Sequence, residues 1–323
     1  MNEFELIHRL TQSLPANATV VTGAGDDCAV LDLGVPGRLI LFKTDAVVEG
    51  VHFTRETPPE KIGRKALARG LSDIAAMAGT PTAALVTLAL PTGFDAEFVA
   101  KIYAGLTALA ERFQVAIVGG ETTTNPERIL ISIALLGLVD KGKQVMRTGA
   151  RAGDAIFVTG ELGGSLAGKH LDFEPRLVEA RWLAEHFHPH AMLDLSDGLA
   201  GDLRHILRAG KVGAEILKSA LPVSRAAKLR ARGLAEAGQP VPREPGHGRK
   251  PAALAALTDG EDFELLFTVA SPVAVPLLDA WKKKFPELKL TCIGKIVAGD
   301  GIVLRDKNGT QKLGAHGYEH FQN

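Results

Sequence analysis

Three apolar runs in this chain lead directly into carboxylate-bearing motifs, and that pattern constrains the fold more than any other feature. Residues 39–42 lead into Lys43-Thr44-Asp45, residues 115–118 into Gly119-Gly120-Glu121, and residues 191–193 into Asp194. Runs this apolar read as strands emerging from a core. A fold that gathers carboxylates at strand ends must neutralise them, and hard divalent cations with bound phosphates do that best. More acidic residues sit in short Gly/Ser/Thr motifs: Gly25-Asp26-Asp27, Ser72-Asp73, Asp194-Leu195-Ser196-Asp197-Gly198 and Asp259-Gly260-Glu261-Asp262. A single Asp-Gly pair is ordinary turn chemistry. Their recurrence along the whole chain points to Mg²⁺-dependent phosphate chemistry.

The bulk properties narrow the partners. With 323 residues, two domains are expected. Lys and Arg balance Asp and Glu to a formal net charge of zero, which leaves no footprint for nucleic acid or an anionic membrane. Small-molecule work is favoured. Cys28 and Cys292 are far apart and support neither a disulfide framework nor a Cys-rich zinc site; both read as buried apolar fillers. The N-terminus lacks the pattern of a signal peptide and no apolar run has the length of a membrane span, so a cytoplasmic protein is expected.

Strand and helix patterns alternate in both halves, which makes the class α/β or α+β. In the first half, residues 3–14 are helix-compatible and strands are expected at 29–33 and 39–44. Pro58-Pro59 opens a helix to residue 77 that carries Asp73. A strand at 83–90, a helix at 96–113 and strands at 115–118 and 129–139 follow. The polar, Gly-punctuated stretch 147–154 marks the boundary between domains at 1–148 and 149–323. Beyond it, strands are expected at 155–159, 191–195, 263–269 and 288–297, and helices at 175–187, 199–208 and 273–285. Residues 238–251, rich in Pro, Gly and basic residues, read as an exposed loop.

Two nucleotide motifs are imitated. Gly163-Gly164-Ser165-Leu166-Ala167-Gly168-Lys169-His170 approaches a P-loop, but His170 stands where Ser or Thr should hold Mg²⁺, and Pro175 leaves little room for the long helix that should follow. A Gly-rich turn, able to touch phosphate through its amides, is the plainer reading. Gly23-Ala24-Gly25 followed by Asp45 imitates a dinucleotide fingerprint, but the third glycine is absent and a strand follows instead of a helix.

Taken in order, Gly23-Ala24-Gly25-Asp26-Asp27, Lys43-Thr44-Asp45 with Glu49-Gly50-Val51-His52-Phe53, and Leu71-Ser72-Asp73-Ile74-Ala75-Ala76-Met77 begin a collinear series. It continues through Gly119-Gly120-Glu121-Thr122, Asp194-Leu195-Ser196-Asp197-Gly198-Leu199, Gly260-Glu261-Asp262-Phe263-Glu264-Leu265 and Gly317-Tyr318-Glu319-His320-Phe321. Each motif is weak alone, but the series as a whole resembles the thiamine-monophosphate kinase family. The resemblance implies a two-domain enzyme with an aminoimidazole ribonucleotide synthetase-like fold. It further implies an N-terminal domain forming a dimeric β-barrel interface, a C-terminal α/β sandwich, and direct ATP- and Mg²⁺-dependent phosphorylation of thiamine monophosphate by a homodimer. By resemblance, Asp27, Thr44, Asp45, Asp73, Glu121, Asp194 and Asp197 stand at metal positions. Gly119, Gly120, Arg147, Ser196 and Tyr103 stand at ATP positions, and His52, Glu261 and Tyr318 at the thiamine end.

The residue chemistry suits that reaction independently. Phosphoryl transfer needs alignment and charge neutralisation, which metals and Arg supply. An acceptor phosphate is already mostly ionised, so no strong general base is required. A carboxylate and an aromatic face, such as Glu261 and Tyr318, would suit a cationic thiazolium. Departures from the family pattern are Lys43 in place of a small hydroxyl residue, Gly70 for Asn, Glu121 for Asp and Asp259 for Gly. Other readings are a related synthetase with another acceptor, or a nucleotide-binding regulatory homologue that has lost turnover through Lys43 and Glu121.

Overall fold

The structure is a computed structural model describing residues 3–234 and 250–314. Among these, the chain divides into two compact units, one made of Ala16–Gln144 with Leu171–Arg181 and the other of the described parts of Met1–Pro15, Val145–His170 and Trp182–Asn323. Helix α1 spans Glu3–Thr11. The unit built on Ala16–Gln144 holds β1 (Val20–Thr22), β2 (Ala29–Leu31), β3 (Arg38–Val48), α2 (Pro59–Ala76), β4 (Thr80–Leu90), α3 (Ala96–Arg112), β5 (Ala116–Thr124) and β6 (Leu130–Asp140). Its sheet runs in the order β1-β2-β3-β6-β4-β5. β3 pairs antiparallel with β6 over its full length, β6 pairs antiparallel with β4, and β5 is a parallel edge strand on β4.

Helix α2 begins where the sequence places it, because a proline early in the first turn needs no N–H there. It is buried nearly all round, between the sheet and α3. Two glycines make that possible: a Cβ on Gly63 would meet the Ile102 carbonyl oxygen at 1.8 Å, and one on Gly105 the Glu60 carbonyl oxygen at 1.9 Å. Helix α3 is capped by Asp95, which accepts from the Glu97 amide, and buries Ile102, Leu106, Leu109 and Ala110 at helical spacing.

Alternation along the strands gives this sheet two different faces. Leu39, Leu41, Ile131, Ile133 and Leu135 point to the helix side and are buried. Phe42, Leu85 and Leu136 point the other way and remain 45%, 48% and 39% exposed. The run 115–118 departs from its expectation as a core strand: Val115 is buried, but β5 beyond it is an exposed edge strand, with Val118 64% exposed. Neighbour strands cover an edge strand on one side only, so hydrophobicity along the run does not guarantee burial.

The other unit holds β7 (Ala155–Thr159), β8 (Ala191–Asp194), α6 (Leu199–Gly210), β9 (Gly213–Leu217), α7 (Arg225–Ala231), α8 (Ala252–Thr258), β10 (Leu265–Val269), α9 (Ala274–Lys284), β11 (Leu290–Val297), β12 (Ile302–Asp306) and β13 (Gly309–Leu313). The division between the units falls within α4 (Lys169–Asp172) and α5 (Leu177–His186). Seven strands order as β13-β12-β9-β11-β7-β10-β8. One sheet face packs Ile156, Val158, Leu193, Leu266 and Ile293 against Leu199, Leu203 and Ile206 of α6 and Leu257 of α8. On the other face Phe157 and Phe267 stack at 5.6 Å between ring centroids. The short elements β1, β9, β12, β13, α7 and α8 have no counterpart in the sequence reading. Cys28 is buried as expected, whereas Cys292 is only half-buried, near the register shift where β11 pairs with β7.

Candidate active site

In the unit built on Ala16–Gln144, three acidic residues from three different elements meet at the helix-covered face. Asp27 precedes β2, Asp45 lies on β3 and Asp73 lies in α2. Asp27 is 1% and Asp73 6% exposed, and each offers a carboxylate oxygen within 4.8 Å of the other's. The Cys28 amide lies 3.1 Å from Met77 Sδ, which holds the Asp27 segment against the C-terminus of α2. Lys43, two residues before Asp45 and so on the same face, brings Nζ to 3.1 Å from Asp73 Oδ1. Arg69 clamps Asp45 with Nε and Nη2 at 2.9 and 3.2 Å.

Burial disfavours the Lys43 ammonium, but Asp73, Asp45 and Asp27 outweigh it and hold its pKa above the ordinary lysine value. Burial likewise opposes ionisation of Asp45, and Arg69 and Lys43 reverse that, so its pKa lies below the usual carboxylate value. Arg69 is a functional candidate that the motif reading does not contain, as is the fully buried Lys65, which donates Nζ to the His52 carbonyl at 2.8 Å. A signal for both is present: Lys65, Arg69 and Asp73 recur at four-residue spacing and line one stripe of α2.

Other expected site residues in this unit lie elsewhere. Thr44 pairs across the sheet with Ala134, and its hydroxyl is 3.4 Å from that of Ser132. Glu121 pairs with Thr87, which pairs with Ser132. Thr44 and Glu121 are therefore on the uncovered face and exposed, so their side chains do not join Asp27, Asp45 and Asp73 within this unit. Gly119, at a bulge with φ of 147°, and Gly120 are exposed on edge strand β5, and Tyr103 is partly buried on α3. His52 accepts from the Val48 amide through Nδ1 at 3.1 Å, so its ring is fixed in a tight turn after β3.

In the other unit, Asp194 ends β8 and is buried, and Ser196 and Asp197 follow in the turn before α6. Asp202, one turn into α6, accepts from the amides of Asp197 and Gly198 at 3.0 and 3.1 Å. Burial, then the neighbouring charges of Asp197 and Asp194, push the Asp202 carboxyl well above its ordinary pKa. Arg147, whose neighbour Met146 accepts from the Met192 amide of β8, lies close enough to stabilise that carboxylate in part. His205 is pushed down to about 4 by burial and then by Arg147 and Arg208. Asp202 and His205 were missed in the sequence because they fall after the motif, inside an ordinary amphipathic helix. The segment 259–264 runs beside this turn: the Glu261 amide donates to Ser196 O at 2.7 Å and the Phe263 amide to Leu195 O at 2.7 Å. Two of the acidic motifs are thus brought together, with Glu261 held at a positive φ of 63°. Tyr318 lies outside the described residues, as does most of the 238–251 loop.

The Gly163–Gly164 turn is not a phosphate cradle. Its amides already donate to carboxylates, Gly163 to Asp262 and Gly164 to Asp259, and Lys169 pairs with buried Glu264 at 2.8 Å. A 3₁₀ turn and the four-residue α4 follow where a P-loop would need a long helix. Both arms of the motif are neutralised from within the chain.

Mg²⁺ takes hard oxygen donors at about 2.1 Å, so two of its ligands stand about 3–4 Å apart. The buried, all-carboxylate donors of Asp27 and Asp73, with oxygens within 4.8 Å of one another, are of the kind such an ion takes. The fold, with carboxylates delivered by strand ends and α2, defines a class: residues 25–139 match the AIR synthase related protein, N-terminal domain. The chain is 40% identical over 301 residues to the thiamine-monophosphate kinase of Rhodopirellula baltica, covering 90% of this chain and 87% of that one. It is 31% identical to that of Bacillus subtilis, covering 100% of both. Among solved structures, AaThiL complexed with AMPPCP and TMP is similar with a TM-score of 0.74 and 30% identity, over 99% of this chain and 97% of that one. The chain belongs to the thiamine-monophosphate kinase family, a family of phosphotransferases.

Proposed function

We propose that the protein transfers the γ-phosphoryl group of ATP directly to the phosphate of thiamine monophosphate, giving thiamine diphosphate and ADP. The observation that carries this reading is the buried Asp27 and Asp73 pair, with carboxylate oxygens within 4.8 Å, in a chain of this family. Of several Mg²⁺ ions, Asp27, Asp45 and Asp73 are assigned to those at the helix-covered face, Thr44 and Glu121 to the opposite sheet face, and Asp194 and Asp197 to the other unit. When bound, the metal would neutralise charge on the transferring phosphoryl oxygens. Arg69 keeps Asp45 ionised and fixed in orientation. Arg147, Ser196, Gly119, Gly120 and Tyr103 are assigned to ATP, and His52, Glu261 and Tyr318 to the thiamine end. Because the acceptor phosphate is ionised near neutral pH, alignment rather than a base is what these residues provide.

The unit built on Ala16–Gln144, close to the expected domain 1–148 but without its first 15 residues and with Leu171–Arg181, is assigned to ATP, Mg²⁺ and dimerisation, and the other unit as the α/β domain expected at 149–323, in a cytoplasmic homodimer. The exposed apolar face around Phe42, Leu85 and Leu136 supports a dimeric barrel interface. One assay tests the reaction: purified protein with ATP, Mg²⁺ and thiamine monophosphate, read for thiamine diphosphate. Stoichiometric ADP and thiamine diphosphate are expected. ATP binding without product would replace the kinase with a regulatory homologue, and product from another acceptor alone would replace the substrate.

A further inference from the structure

Lys43 stands inside the carboxylate group rather than beside it. It lies on β3, on the same face as Asp45, with Nζ 3.1 Å from Asp73 Oδ1 and with Asp45 and Asp27 acting on it electrostatically. Its side chain is 26% exposed, so most of it is packed within the protein. Lys43 thus places one positive charge directly on Asp73, beside Asp45, which Arg69 already engages. A neutral side chain at 43 would leave that charge to be supplied by a bound cation.

An ammonium can donate to carboxylates, but it cannot ligate a metal ion, and its charge repels one held by the same oxygens. We propose that Lys43 is a built-in cation that takes the place of one divalent ion in this group. The carboxylates are then held together before nucleotide arrives, and the free protein has low affinity for divalent ions there. This rests on the reading of Asp27 and Asp73 as metal-holding residues of the kinase. It makes the chain dependent on Mg²⁺ delivered with the nucleotide, whose own phosphates supply the missing ligands.

The test is Mn²⁺ binding to the full chain without nucleotide, measured by equilibrium dialysis, with melting temperature followed in parallel. The parent and Lys43→Arg are expected to bind Mn²⁺ weakly and to gain no thermal stability from it. Lys43→Met and Lys43→Ser are expected to bind one additional Mn²⁺ per chain, at least about tenfold more tightly, and to melt at a higher temperature when it is present. Equal stoichiometry and affinity in the parent and both neutral variants overturn the proposal. The parent alone keeps the result decisive should the variants not fold, since tight Mn²⁺ binding by the parent without nucleotide also overturns it. No turnover is read, so a failure to make thiamine diphosphate would sink the kinase reading without deciding the role of Lys43.

Discussion

At the scale of single residues, the buried carboxylates carry the clearest consequences. Asp73 is nearly inaccessible yet faces Lys43 and shares its surroundings with Asp27. Asn keeps its size and an oxygen toward Lys43 but removes the charge a metal requires. Asp73→Asn is therefore expected to fold and to lose about 100-fold or more in Mg²⁺-dependent turnover, the cost typical of deleting one preorganised electrostatic group at a reacting centre. Near-parental turnover with an intact circular-dichroism spectrum would remove Asp73 from the proposed metal site. Asp262 makes a different prediction. Burial raises its pKa from 3.8 to about 7, against the opposing effects of Lys169 and the Gly163 amide. Between those values the folded chain keeps a proton that the unfolded chain has lost, so stability falls as pH rises through that window and then levels off. The slope is at most about 1.4 kcal/mol per pH unit. Urea unfolding across that window should show a steeper fall in the parent than in Asp262→Asn, the raised Asp202 carboxyl contributing in both; identical slopes would rule out Asp262 as a contributor.

At the scale of elements, the close approach of α2 and α3 holds α2, and with it Lys65, Arg69 and Asp73, against the sheet. The approach depends on Gly63 and Gly105, where an added methyl would meet backbone oxygens that cannot rotate away. Gly105→Ala is expected to destabilise the protein by about 1–3 kcal/mol despite alanine's better helix propensity, because overpacking outweighs propensity here. A thermal melt should fall by several degrees, whereas Ala104→Ser on the exposed side of the same helix should leave it nearly unchanged. A parental melting temperature for Gly105→Ala would mean that the helices can separate without cost. The strands place side chains with equal discipline: adjacent Lys43, Thr44 and Asp45 alternate between faces, so only the first and third join Asp73.

At the scale of the whole molecule, the uncovered sheet face is the feature a single chain leaves unexplained. Phe42, Leu85 and Leu136 lie on it, within a sheet whose other face is packed under α2. Sedimentation is expected to show a homodimer at micromolar concentration. Leu85→Lys and Leu136→Lys, at positions 48% and 39% exposed in the single chain, are expected to shift it to monomer while each chain still melts cooperatively. A parent that sediments only as monomer would overturn the dimer, and charged variants that still dimerise would place the interface elsewhere.

Much of this protein was legible in its sequence. The α/β class, helices α2, α3, α6 and α9, and strands β7 and β10 follow from apolar periodicity, Pro at a helix start and Gly-rich turns, all of them local signals. The weakness of the P-loop imitation was also legible, from His170 and Pro175 alone. What could not be read was which side of each strand finds a partner and which charges meet. The run 115–118 looks like core but borders an exposed edge; Glu121 follows its motif but faces away from Asp73; and Lys169 is neutralised by Glu264, 95 residues later. Arg69 became part of the candidate site only when α2 packed on β3, and that packing alone decided that Lys43, conspicuous in its motif, meets Asp73. Periodicity along a chain specifies which faces are apolar, whereas the pairing of charges depends on strand register and helix packing, and these are set by contacts between segments far apart in sequence.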